Sequence, residues 1–194
     1  MNIHGGLIVV SSLMALISPI VYAKAIFRGD AVPHRTTRVI LLINTVLATT
    51  SLYAQGDTVA IWLAVVSTIQ SIFIFILSLK YGTGGWAKLD LACLGIAAIG
   101  MILWKSTNNP SVALYSAIMA DFVGMVPTIV KTYRKPKSEI WQFFAIDTVV
   151  GLLSLLAVTK WTMAAVSYPF YIMMINMVVA LLVVRPQGKP RQYE

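Results

Sequence analysis

Apolar residues run along this chain in seven blocks: Leu7–Ala23, Val39–Ala54, Val59–Leu79, Leu89–Trp104, Val112–Val130, Ile140–Val158 and Trp161–Val184. Short stretches that carry most of the charge separate them. Each block approaches the ~20 residues that a helix needs to cross a hydrocarbon layer. The pattern therefore predicts an all-α integral membrane protein of seven transmembrane helices, which leaves no room for a domain outside the membrane. The first block has the apolar character of a secretory signal. No cation precedes it and no small-residue cleavage site follows, so it reads as a retained helix.

Composition narrows the class. Of 194 residues, 58% are hydrophobic and 11% charged, against roughly 45–50% apolar and about 25% charged in average soluble chains. The net charge of +8 is explained by topology rather than by a nucleic-acid partner, because the cations are unevenly placed. Lys24, Arg28, Arg35, Arg38, Lys80, Lys88, Lys131, Arg134, Lys135, Lys137, Arg185, Lys189 and Arg191 fall on one side of the seven-helix plan. Lys105 and Lys160 fall on the other. The excess of Lys and Arg in cytoplasmic loops then sets the amino terminus outside and the carboxyl terminus inside. Trp62, Trp86, Trp104, Trp141 and Trp161 lie near block ends, where interfacial anchors belong. The single cysteine, Cys93, cannot form an intrachain disulfide and reads as a small packing residue.

The chain also repeats itself. "SPIVYAKAIFRGDAVPHRTTR" and "GMVPTIVKTYRKPKSE" each hold a proline two turns before a basic loop, Pro19 or Pro127, and a second proline in that loop, Pro33 or Pro136. One block later Asn44 and Asp147 correspond, and one block after that Gln70 and Asn176. Residues 1–80 and 110–194 are therefore predicted to be two parallel three-helix bundles, with a short cytoplasmic tail closing the second. Residues 81–109 hold a linker helix that returns the chain to the outer side and is expected to pack against lipid. The short connections Gln55–Thr58 and Thr159–Lys160 predict antiparallel neighbours within each bundle.

These stretches resemble the PQ-loop, the hallmark of the SWEET and PQ-loop (MtN3-like) transporter superfamily, whose plan is also three helices, one linker and three helices. The glutamine that follows the proline in that motif is Thr128 in one copy and Ile20 in the other. The resemblance implies a carrier that moves a small polar solute, such as a sugar, by alternating access. Vitamin, nucleoside and amino-acid carriers share the plan, as does the KDEL-type retrieval receptor, which does not transport. Resemblance to the lysosomal cystine carrier would make Asp147 the proton-coupling residue.

Asp121 and Asp147 are the acids expected well inside the hydrocarbon, where a carboxylate costs about 2.5–3.5 kcal/mol and normally faces a cavity or a partner. Both are candidates for proton coupling, with passive uniport as the alternative. Repeat transporters bind near the membrane midplane between their halves, so Asn44, Asp147, Gln70 and Asn176 are the candidate pocket. Their amides both donate and accept hydrogen bonds, which suits hydroxyl-bearing or amide-bearing solutes. Tyr53, Trp62, Tyr168 and Tyr171 are aromatic residues that could stack on a ring, with belt or packing roles as the alternative. Pro19 and Pro127 each remove a helix hydrogen bond and are candidate hinges, with Pro169 a similar position in the seventh block.

Other chemistry finds no support. The seventh block has no lysine for a retinal Schiff base, and "GTGGWAK" lacks the Lys-Ser/Thr ending of a phosphate loop. His4 and His34 fall at opposite faces, and no nucleophile, base and orienter share a catalytic spacing. The expectation is neither an enzyme nor a cofactor or metal protein. Its partners would be the bilayer and a small-molecule solute, the monomer could suffice, and a prokaryotic inner membrane is the expected location.

Overall fold

The computed structural model describes residues 3–55, 60–106, 110–158 and 161–186. It is all-helical: α1 (Ile3–Arg28), α2 (Arg35–Gln55), α3 (Ala60–Tyr81), α4 (Lys88–Ser106), α5 (Pro110–Arg134), α6 (Trp141–Leu156) and α7 (Met163–Val184), with a 3₁₀ turn over Pro136–Ser138. Each helix coincides with one apolar block. The main departures are at the basic ends, where α1 continues past Ala23 to Arg28, α5 past Val130 to Arg134, and α2 begins before its block at Arg35. Lys and Arg are good helix formers with long apolar stems, so the helix continues after hydropathy has fallen. Gly29 ends α1 at a φ of 79°. The amides of Asp30 and Gly29 bond back to the carbonyls of Ala25 and Ile26, at 2.9 and 3.1 Å, in the Schellman pattern.

Packing follows a twofold pattern. α3 packs on both α1 and α2, and α7 on both α5 and α6; among the described residues the backbones of α1 and α2 do not approach closely, nor do those of α5 and α6. The first three helices meet the last three through α1 against α6 and α2 against α5. Exchanging α1, α2 and α3 for α5, α6 and α7 maps this arrangement onto itself. α2 and α3 pack closely, as do α6 and α7. Gly151 permits the second approach, since a Cβ there would lie 2.6 Å from the Met173 amide nitrogen. α4 packs on α5 and also on α2, burying Cys93 and Ala97 while Leu91, Ile99 and Ile102 face outward.

Two buried clusters hold the helices together. Tyr22, Ile26, Phe143, Phe144, Ile175 and Val179 join α1, α6 and α7, while Ile40, Cys93, Ala97, Ala120 and Val123 join α2, α4 and α5. Outside them, every helix turns large apolar side chains outward, among them Leu13, Val46, Ile69, Ile102, Met119, Leu152 and Leu181. Among the described residues two segments are long and apolar enough to cross a membrane, Val9–Arg28 and Val166–Val184.

Candidate functional site

The loops at the basic end are bonded to one another. The Val32 amide donates to the Ser138 carbonyl at 2.8 Å, which ties the segment after α1 to the turn before α6. Thr83 and Arg35 amides bond to the Pro33 and Thr83 carbonyls, both at 2.9 Å, adding the loop after α3. Side chains reinforce the joint. Lys131 on α5 donates to the Val32 carbonyl and to Glu139, the latter at 2.5 Å. The Tyr22 hydroxyl of α1 donates to the other Glu139 oxygen at 2.8 Å. Thr128 bonds to Thr37 at 2.8 Å in a fully buried pair joining α5 to α2. Glu139 is only 3% exposed, and a carboxylate taken that far from water needs both a cation and hydrogen bonds to be tolerated.

Beside this joint, His34 Nε2 lies 3.5 Å from an Asp90 oxygen. The second Asp90 oxygen accepts the Gly85 and Ala87 amides at 2.8 and 3.2 Å. Burial lowers the His34 pKa below its ordinary value, Lys131 and Arg38 push it the same way, and Asp90 pulls against them.

Further in, a cavity of about 230 Å³ opens between α1, α2, α3 and α6. Ser18, Arg38, Gln70, Ser71, Phe143 and Asp147 supply its chemistry. The Arg38 guanidinium lies over the Tyr22 ring at 4.7 Å and near the Phe143 ring at 5.7 Å, with its Nε buried and unpartnered. Arg38 and Asp147 line one cavity, yet among the described residues no ion pair joins them. Opposite charges held apart in a small cavity can each take a complementary group of a polar solute. Gln70 is oriented by a 3.4 Å bond from its Nε2 to the Ala15 carbonyl.

Asp121 occupies a separate position. It is buried on α5, where it accepts Tyr171 from α7 at 2.7 Å and Asn44 from α2 at 3.4 Å. Of the residues expected to form one pocket, Asp147 and Gln70 are brought together, whereas Asn44 is paired with Asp121. The Asn176 amide is bonded to the Ile172 carbonyl of its own helix at 2.9 Å. The two aspartates sit on different sides of the molecule's approximate twofold, Asp147 where α6 meets α1 and Asp121 where α5 meets α2. Although α5 and α6 follow each other in sequence, α7 stands between them.

Pro19 lines the cavity from within a continuous α1, and Pro127 is buried within a continuous α5. Trp86, Trp141 and Trp161 are exposed near helix ends, and Tyr168 is 46% exposed. The side chains of Tyr53, Trp62 and Trp104 lie outside the described ones.

Three participants were not visible as such in the sequence. Arg38 counts there as a loop cation, but α2 begins at Arg35, so Arg38 lies inside the helix and reaches the cavity. A helix start one turn before the apolar block was the signal available. Glu139 and Tyr22 carry no local signal, because each acquires its role only from the other across the fold. No family model, curated protein or solved structure matches this chain. The likeness to PQ-loop transporters accordingly rests on the two quoted stretches and the helix plan.

Proposed function

We propose that this chain is a seven-span membrane carrier that moves a small polar solute by alternating access. The membrane part of the proposal is supported by the outward apolar residues on all seven helices. Soluble monomers rarely expose contiguous apolar surface of such extent. The observation that carries the transport part is the cavity between α1, α2, α3 and α6, lined by Asp147 and Arg38, which are not joined in a direct ion pair.

In the proposed cycle the bonded loops form the cytoplasmic gate. Opening it separates Tyr22 from Glu139, Val32 from Ser138 and Thr37 from Thr128. Each of these bonds joins the first three helices to the last three, so one rocking motion breaks them together. Pro19 and Pro127, at matching places in α1 and α5, are the proposed hinges. The cavity is below the roughly 300–1,000 Å³ of pockets that hold drug-sized ligands, which limits the occupant to a small metabolite. Gln70, Ser71 and Ser18 suit a sugar or a comparably polar solute. Asp147 is the proposed proton carrier, since it lines the cavity, whereas Asp121 has both oxygens engaged by Asn44 and Tyr171.

Counterflow into liposomes reconstituted with the purified chain tests the proposal against a panel of labelled sugars, amino acids and nucleosides. Saturable exchange of one solute class is expected. Binding with no exchange across the panel indicates a receptor of the same plan and contradicts the carrier.

A further inference from the structure

A second hollow, of about 460 Å³, lies at the basic end between α4, α5 and the loops after α1 and α3. One of its walls is apolar, formed by Leu89, Pro127 and Val130. Its other side is cationic, formed by Lys131, Arg134 and Lys135. Asp90, which itself lines the hollow, and nearby Glu139 already have partners. Asp90 faces His34 and two backbone amides, and Glu139 holds Lys131 and Tyr22. Arg134 and Lys135 are exposed, and among the described residues neither forms an ion pair. The hollow is thus an amphipathic site with a net positive lining, in which Lys131, Arg134 and Lys135 outnumber Asp90. Leu89, 41% exposed, and Trp86, 87% exposed, place apolar surface beside it.

We propose that this hollow binds the phosphate headgroup of an anionic phospholipid. Arg134 and Lys135 hold the phosphate, while Leu89 and Val130 contact the glycerol and first acyl carbons. A guanidinium fork matches phosphate oxygens in geometry as well as charge. Basic pockets at the cytoplasmic membrane surface meet a leaflet rich in such headgroups. The apolar wall favours an acyl-bearing phosphate over a free one. Lys131 and Ser138 line the hollow and also belong to the bonded loops. An occupant therefore braces those loops and favours the closed gate. The site rests on the membrane-spanning reading but not on transport.

Melting of the purified full chain in neutral detergent tests it, with dihexanoyl phosphatidylglycerol, dihexanoyl phosphatidylcholine and inorganic phosphate as the three probes. The phosphatidylglycerol should raise the melting temperature and the phosphatidylcholine should not. With each surface cation contributing about 1 kcal/mol, R134Q/K135Q should bind the anionic lipid roughly thirtyfold more weakly. Each single substitution should weaken it about fivefold, which keeps the test available if the double variant folds poorly. Equal stabilisation of wild type and variants, or none in wild type, would overturn the site. Equal stabilisation by inorganic phosphate at matched concentration would overturn the lipid assignment and leave an anion site. Binding is read without flux, so failure here is distinct from failure of the carrier proposal.

Discussion

The Tyr22 hydroxyl of α1 donates to the Glu139 carboxylate at the entry to α6, across 117 positions of sequence and 2.8 Å of space. Lys131 takes the other oxygen of the same carboxylate. One buried acid thus joins α1 to α5 and to the start of α6, at the end of the molecule where the loops are bonded.

Tyr22→Phe removes that donor while keeping the ring that stacks on Phe143 at 4.3 Å. A hydrogen bond to a charged group contributes about 1.5–3 kcal/mol, and in the proposed cycle only the closed gate has it. The variant should melt earlier and spend more time open. A cysteine replacing Ser138, in a Cys93→Ala background, should then react faster with a thiol reagent than it does beside Tyr22. Unchanged reactivity would detach Tyr22 from the gate.

Gly84 tests the loop joint independently. Its φ of +80° disfavours any side chain, and an added Cβ would fall 2.2 Å from His34 Nε2. Gly29 has a φ of +79° but open space around it. Left-handed backbone costs both alanine variants about 1–2 kcal/mol, and Gly84→Ala must also displace His34 from Asp90. Its melting temperature should therefore fall further than that of Gly29→Ala. Equal losses would mean that His34 moves aside freely.

The seven helices were legible in the sequence because each apolar block is long and the charges between blocks are dense. Which face each helix presents was not. Hydropathy in Leu7–Ala23 cannot tell Ala15, which lines the cavity, from Leu16, which is 42% exposed. Helix one is apolar nearly all round, so its sequence lacks a stripe to orient it. Asp147 and Gln70 could be singled out because a polar group in an apolar block is costly wherever it points. Asn44 met the same criterion, but its partner Asp121 comes from α5, and only the meeting of α2 with α5 reveals the pair.

Sidedness is open to labelling. Cysteines replacing Lys137 and Ser106, both exposed, should react with an impermeant reagent from opposite faces of sealed vesicles in a Cys93→Ala background. Reaction from the same face would remove the seven-span arrangement.

Asp147→Asn keeps the shape and hydrogen-bonding capacity of the side chain but cannot carry a proton. The variant should still exchange solute between liposome interior and medium, yet lose accumulation driven by an imposed pH gradient. Asp121→Asn, at a residue that does not line the cavity, should retain that accumulation. Wild-type flux indifferent to the gradient would make the protein a passive carrier, with Asp147 a pocket residue.

Alternating access itself is tested most directly by fastening the gate. The Val32 amide and Ser138 carbonyl are 2.8 Å apart, and backbone pairs so joined bring Cα atoms within the roughly 4.4–6.8 Å that a disulfide spans. With cysteines at these two positions and Cys93→Ala, oxidation should abolish saturable flux into liposomes, and reductant should restore it. Flux that persists at full cross-linking would contradict the account, because the solute would then be crossing without that gate opening.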